Sequence, residues 1–276
     1  MKSTTSEIEI PRAANFIQQG SGVPVVMVHG VSASLHDWDD LIPELTENGF
    51  ASHALDLLGH GDSPKPANRA YHIDWVFEHF LHWITSLRLT EPAILIGHSL
   101  GGYLALEYAR RFSAWTRGLV LVNPFYTLSQ LPFLLRRTYR HPSLSGLISM
   151  QFPEWMFRLV VDVTSLGLGH GSGALHSLPE HVRAQTALDY TRTASGVYNL
   201  PNTMHDLTPH LPHISLPTLV VWGSRDQTLL PASFPKLVEA MPRAEGKAIH
   251  AGHVPHQSNA GEFNQMVMRF LKNLAV

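Results

Sequence analysis

Four short apolar runs recur along the chain, at 25–28 (Val-Val-Met-Val), 93–96 (Ala-Ile-Leu-Ile), 119–122 (Leu-Val-Leu-Val) and 219–222 (Leu-Val-Val-Trp). Each is rich in β-branched residues and stops at His, Gly or Asn-Pro. Apolarity that is continuous rather than alternating marks strands whose two faces are both covered, as in a parallel sheet flanked by helices. Weaker runs of the same kind lie at 50–56 and 247–250. Between the runs the apolar spacing changes to three and four residues. Ile73, Val76, Phe77, Phe80, Ile84 and Leu87 form one helical stripe, and Phe263, Met266, Val267, Phe270, Leu271 and Leu274 another. Trp38, Leu41, Ile42 and Leu45 form a shorter stripe, in which Pro43 marks either a first turn or a kink. Strand and helix alternating through short connections predict an α/β fold, with a doubly wound, mostly parallel sheet.

The alternation breaks between 123 and 216. Prolines recur there at 124, 132, 142, 153, 179, 201, 209 and 212, with helical fragments between them. Phe125, Tyr126, Leu131, Phe133, Leu134, Leu135, Phe152, Trp155, Met156 and Phe157 carry no strand pattern. Because the strand pattern resumes at Thr218, 1–123 and 214–276 are expected to form one core, with 124–213 inserted as a helical cap.

Composition narrows the possible partners. Over 276 residues, 20 Lys+Arg against 22 Asp+Glu leave a net charge of −2, so no nucleic-acid-binding face is expected. Hydrophobic residues at 44% supply a large core and exclude disorder. The absence of cysteine excludes disulfides, zinc ribbons, iron–sulfur clusters and thiol catalysis. No stretch reaches the ~18 apolar residues of a membrane span. The opening MKSTTSEIEI lacks an apolar segment, so the expectation is a cytoplasmic protein acting on a small molecule, without cofactor or metal.

The chemistry concentrates at 97–101. Gly97-His98-Ser99-Leu100-Gly101 is a G-x-S-x-G pattern between an apolar run and a helical segment. A sharp strand-to-helix turn strains the Ser backbone, demands small neighbours and lifts the hydroxyl above the sheet at a helix N-terminus. A serine nucleophile also needs a base within reach and a carboxylate to orient that base. With 18 His in the chain, His alone says little. His253 stands out because it follows a short strand and a Gly and precedes the last helix. Asp226 follows the 219–222 run at the same carboxyl edge of the sheet, where such folds bind ligands. Position 123, the alternative place for the acid, holds Asn.

These motifs make the chain similar to the α/β-hydrolase superfamily. His29-Gly30 resembles its oxyanion loop, Asp56-Leu57-Leu58-Gly59-His60-Gly61-Asp62-Ser63 its D-x-x-G-H-G-x-S loop, and 97–102 its nucleophile elbow. Trp222-Gly223-Ser224-Arg225-Asp226 resembles its acid loop, and Ala251-Gly252-His253 its histidine loop. The resemblance implies a Ser99–His253–Asp226 triad with backbone oxyanion donors at Leu100 and Val31. A Ser at 99 argues against dehalogenase or epoxide hydrolase chemistry, which in this superfamily uses Asp there. His29 and 56–63 are expected to brace loops, and His98 to point away from the nucleophile.

An apolar substrate pocket is expected around His29, Phe125, Trp155, Phe157 and Val254. Pro209 and Pro212 interrupt any shared face for His205, His210 and His213, so no metal site is expected there. The glycine-rich stretch at 167–173 lacks dinucleotide-binding spacing and is expected to be a turn or hinge. Arg136, Arg137 and Arg140 are expected to form a solvated helix face. Three functions remain open: an ester-type serine hydrolase, a non-hydrolytic enzyme on the same triad (a cofactor-free oxygenase, lyase or perhydrolase), and a ligand receptor.

Overall fold

In the computed structural model, which describes residues 9–66, 70–140, 153–166 and 176–274, the apolar runs become the centre of one sheet. Its strands are β1 (Phe16–Gln19), β2 (Val23–Val28), β3 (Phe50–Leu55), β4 (Ala93–His98), β5 (Thr116–Val122), β6 (Thr218–Gly223) and β7 (Ala244–Ile249). They lie in the order β1-β3-β2-β4-β5-β6-β7. Only β1 runs antiparallel to its neighbour.

Both faces of the sheet are buried, which accounts for the continuous apolarity. Val25, Met27, Ile94, Ile96, Val120, Val122, Leu219 and Val221 face one side, against Trp38, Leu45, Phe263, Val267 and Leu271. The residues between them, Val26, Val28, Leu95, Leu119, Leu121 and Val220, face the other side, against Val76, Phe80, Leu104 and Leu106. Successive side chains on a strand point to opposite faces, so neither parity can be polar here.

The helices follow the stripes. The 38–45 stripe divides between a 3-10 turn (Leu35–Trp38) and α1 (Ile42–Glu47), with Pro43 in the first turn of α1. The next helices are α2 (Ile73–Ser86) and α3 (Leu100–Arg111). Between β5 and β6 come α4 (Phe133–Arg140), α5 (Glu154–Thr164) and α6 (Glu180–Arg192), then 3-10 turns at Ser195–Asn202 and Thr208–His213. The only strand pairing described in this insertion is an isolated bridge between Leu166 and His176. Arg158 joins Asp162 at 3.0 Å and Glu180 at 2.6 Å, pinning α5 to α6, and Arg183 also reaches both acids. After β6 come α7 (Ser233–Ala240), α8 (Pro255–Ser258) and α9 (Ala260–Leu274). Phe152 and 167–173 lie outside the described residues, as does the side chain of Arg140. Among the described residues no helix is long and apolar enough to cross a membrane.

Close backbone packing at the start of α3 sets a size limit. A Cβ on Gly101 would sit 1.9 Å from the Val28 carbonyl oxygen, a backbone atom of a central strand that cannot move aside. Gly101→Ala should therefore destabilise the protein by at least about 2 kcal/mol, in the upper range of overpacking costs. Gly261→Ala, where a Cβ meets nothing within 4 Å in α9, should hold or slightly raise the melting temperature. Thermal melts of both variants check this; equal melting temperatures would contradict it.

Candidate active site

The nucleophile candidate sits on a strained turn. Ser99 lies between β4 and α3 with φ 52° and ψ −109°, a region that costs a non-glycine residue on the order of 1–3 kcal/mol. Three backbone hydrogen bonds hold it there. Its N–H donates to Val122 at 2.9 Å, and its carbonyl accepts from Phe125 at 3.0 Å and Tyr103 at 3.2 Å. A Cβ on Gly97 would lie 2.3 Å from the Gly101 carbonyl oxygen, so the turn closes only around small residues. The amide of Leu100, first in α3, has no preceding helical carbonyl to bond, and it stands at the positive end of the helix dipole.

Asp226 and His253 meet at the same edge of the sheet. His253 Nδ1 lies 2.7 Å from Asp226 Oδ2, where the proton on Nδ1 donates to the carboxylate and leaves Nε2 free as a base. The same oxygen accepts from Asn123 Nδ2 at 2.6 Å. The other oxygen accepts the N–H groups of Thr228 (2.7 Å) and Leu229 (3.0 Å). Burial alone would raise the Asp226 carboxyl. The His253 ring, the Leu229 amide and Asn123 outweigh it and hold the carboxyl below its ordinary value. Asn123 has φ 41°, and its Oδ1 also accepts from the Gly223 amide at 3.2 Å. The Asn at 123 thus works with the acid.

A second buried carboxylate, Asp37, ties the surrounding loops together. Its Oδ2 lies 3.1 Å from His98 Nδ1 and 3.5 Å from the Gly30 amide, and its Oδ1 accepts from Gln257 Nε2 at 3.2 Å. His98 Nε2 lies 3.1 Å from the His253 carbonyl oxygen. Both nitrogens of His98 face oxygen acceptors, so the ring satisfies both only while it carries a proton on each. Burial, with the His256 ring adding to it, outweighs Asp37 and lowers the His98 ring to about 4, so near neutral pH the ring donates to one of these two oxygens at a time. Burial would also raise Asp37, but the His256 and His98 rings outweigh it and hold the carboxyl far below the usual range. Ligand atoms of Asp37, His98 and His256 lie within 4.8 Å of one another, the one such group among the described residues. A divalent cation could bridge that spacing, which the Asp37–His98 hydrogen bond now occupies. His205, His210 and His213 form no such group.

Ser99 and His253 line a cavity of about 400 Å³ together with Val31, Asp37, His98, Arg225 and Val254. Val160, Val161 and Thr164 of α5 and Thr186, Asp189 and Tyr190 of α6 close it from the insertion. The His98 ring is held between Asp37 and the His253 carbonyl, so it braces the loops beside the nucleophile candidate. It forms part of the wall, with its ring centroid 5.0 Å from that of His253.

The expected apolar pocket needs correcting. Of its five residues only Val254 lines this cavity. His29 is buried beneath it, with Nδ1 2.7 Å from the Gly30 carbonyl oxygen and Nε2 accepting the Leu57 amide at 2.9 Å, so it braces the loop. Phe125 packs against Tyr103 in the core. Trp155 is 66% exposed on the outer face of α5, alongside the exposed Leu159 and Val163. Phe157 packs against the ring of Tyr190 in a tilted arrangement, with centroids 5.4 Å apart. The wall instead mixes the apolar Val31, Val160, Val161 and Val254 with hydroxyls, amides and carboxylates, and of the aromatics of the insertion Tyr190 lines it while Phe125 goes to the core and Trp155 outward. Asp56 braces its loop, accepting from Leu35 N at 2.8 Å, Asp62 N at 2.8 Å and Asn15 Nδ2 at 2.7 Å.

Comparison with known proteins agrees with this fold. The family model described as alpha/beta hydrolase fold matches residues 23–260. The chain is 25% identical over 256 residues to a pimeloyl-[acyl-carrier protein] methyl ester esterase of Aeromonas hydrophila, covering 91% of this chain and 96% of that one. Among solved structures it is similar to a thermophilic esterase from Thermogutta terrifontis, with a TM-score of 0.77, 22% identity and coverage of 95% and 94% of the two chains. It is also similar to an enol-lactonase from Burkholderia xenovorans, with a TM-score of 0.70, 20% identity and coverage of 94% and 96%.

Removing Asp37 should cost about 1–3 kcal/mol, since the buried donors that face it on His98, Gln257 and Gly30 are left unsatisfied. Asp37→Ala should lose this amount in urea denaturation at neutral pH. The folded-state pKa of Asp37 lies below its ordinary 3.8, so its contribution is fully present above that pH and fades as pH falls through the folded value. The gap between wild type and variant should therefore narrow below pH 3.8, and a gap that widens there would contradict the assignment.

Proposed function

The chain belongs to the alpha/beta hydrolase fold family, and on that premise we propose that it is a serine hydrolase cleaving an ester-type bond through an acyl-enzyme. The observation that carries this reading is the 2.7 Å bond between His253 and Asp226, made in the wall of a cavity that also holds the strained Ser99. Ser99 Oγ attacks the substrate carbonyl carbon while His253 Nε2 accepts its proton. Asp226 keeps Nδ1 protonated and stabilises the imidazolium that forms. The tetrahedral oxyanion is held by the amides of Leu100 and Val31, donors already fixed before the reaction begins. Collapse expels the alcohol, which takes the proton from His253. Water, deprotonated by the same ring, then attacks the acyl-enzyme and releases the acid.

The insertion acts as a cap. The α5 and α6 residues over Ser99 limit the space to a substrate of small to medium size and shield the reaction from water. Selection falls to Val160, Val161, Thr186 and Tyr190 rather than to the aromatics at 155 and 157. The esterase similarity supports ester substrates; the geometry of Ser99, His253 and Asp226 supports covalent catalysis.

A fluorophosphonate probe read by intact mass should add one label per chain, on Ser99, and none to Ser99→Ala. On a p-nitrophenyl ester, Ser99→Ala and His253→Ala should each lower kcat by on the order of 10⁴–10⁶ without adding to one another. Asp226→Asn should cost less than either. Label on another serine, or near wild-type turnover by His253→Ala, would overturn the triad. Product formation that depends on dioxygen would replace hydrolysis with an oxygenase reading.

A further inference from the structure

The cap contributes one carboxyl to the cavity that the triad does not use. Asp189, on α6, is 4% exposed and lines the cavity with Ser99 and His253. Its Oδ2 accepts the Ser34 hydroxyl at 3.0 Å, and its Oδ1 accepts Gln185 Nε2 at 2.8 Å. Both donors are neutral. Among the described residues no Lys, Arg or His nitrogen lies within 4.0 Å of the carboxylate. Burial, with Asp37 adding to it, outweighs the Gln185 and Ser34 hydrogen bonds and the more distant His36 ring, and pushes the carboxyl up to about 7. The other acids of the site differ: Asp226 faces His253, and Asp37 faces His98.

A carboxylate buried without a cation is costly, and a ligand that brings the cation recovers that cost on binding. Tyr190, the next residue, lines the same wall, and an aromatic face beside a carboxylate favours an ammonium group further. Arg225 also lines the cavity, but its side chain is exposed, where solvent screens its charge. We propose that Asp189 is a recognition site for a protonated amine on the substrate, so that the preferred substrates are esters whose acyl or alcohol part carries a basic nitrogen. This rests on the hydrolase reading above and adds the substrate class to it.

The test pairs charged esters with uncharged isosteres: methyl esters of ω-amino acids of three to six carbons against the matching alkyl esters, and acetates of ω-amino alcohols against alkyl acetates. The wild type should favour the amine in at least one pair by about tenfold or more in kcat/KM. Asp189→Asn should erase that preference while leaving the alkyl ester within about twofold. No amine preference in any pair, or a preference that survives Asp189→Asn, would overturn the proposal. Fluorophosphonate labelling in the same preparations reads the hydrolase assignment separately: labelled Ser99 without amine preference sinks only the Asp189 proposal. If no ester is turned over, or the variant fails to fold, butylammonium and butanol are compared as ligands of the wild type by thermal shift. Stabilisation by butylammonium alone supports the recognition site, and equal or absent stabilisation overturns it.

Discussion

A serine backbone held at φ 52° is the constraint around which the centre of the molecule is arranged. That geometry is unfavourable by itself, and it persists only where surrounding structure over-determines it. Here the determining partners are the last residue of β5, the loop after it and the second turn of α3, through Val122, Phe125 and Tyr103. Each is in turn fixed by the two-sided core: Val122 and Tyr103 are buried within it on opposite faces of the sheet. The apolar runs therefore do more than stabilise. A sheet with one solvated face would flex where Ser99 needs it rigid, and the hydroxyl would lose its aim.

Electrostatics then joins loops that the chain separates widely. Asp37 lies on the first long connection, His98 at the end of β4, and His253 and Gln257 near the last helix. Asp37 accepts from Gln257 and faces one nitrogen of His98, whose other nitrogen faces the His253 carbonyl, and these contacts draw the three segments to one point. The Gly30 amide belongs to the same cluster, so the loop carrying Val31 is tied to the loop carrying the base. In a buried site such bonds are strong and an unmade one is expensive, which couples the positions of Ser99, His253 and Val31, the proposed nucleophile, base and oxyanion donor.

Much of this was legible in the sequence, and the exceptions have physical causes. The four central strands, the two long amphipathic helices and the G-x-S-x-G turn show themselves because each follows from a local rule of period or backbone strain. The strand Phe16–Gln19 escapes that reading because it is an exposed, antiparallel edge whose second half is Gln-Gln. Asp226 and His253 could be placed from the order of elements alone, and the structure brings their side chains into contact. Asp37 could not, because nothing in Leu-His-Asp-Trp signals a partner sixty-one residues away in His98. The pocket was the weakest reading. In a helical insertion, aromatic content does not say which face turns inward, and Trp155 sits six residues before Val161 on the opposite side of α5.

The three buried acids in and around the site, Asp226, Asp37 and Asp189, differ in how completely the fold answers them. Asp226 has a ring, a carboxamide and two backbone amides; it is held ionised and shares its role with His253. Asp37 has a ring, a carboxamide and an amide, and is likewise held ionised. Both draw these partners from the core loops around the sheet, which must stay fixed for the elbow to hold. Asp189 comes from the insertion and has only a hydroxyl and a carboxamide. The shortfall falls on α6 of the insertion, which is pinned to its neighbour α5 through Arg158 and Arg183. On the proposed reading, a fold that satisfies Asp226 and Asp37 from the loops of the sheet and leaves Asp189 of the insertion with neutral partners separates two tasks: the core keeps the chemistry constant, and the insertion is free to answer to the ligand.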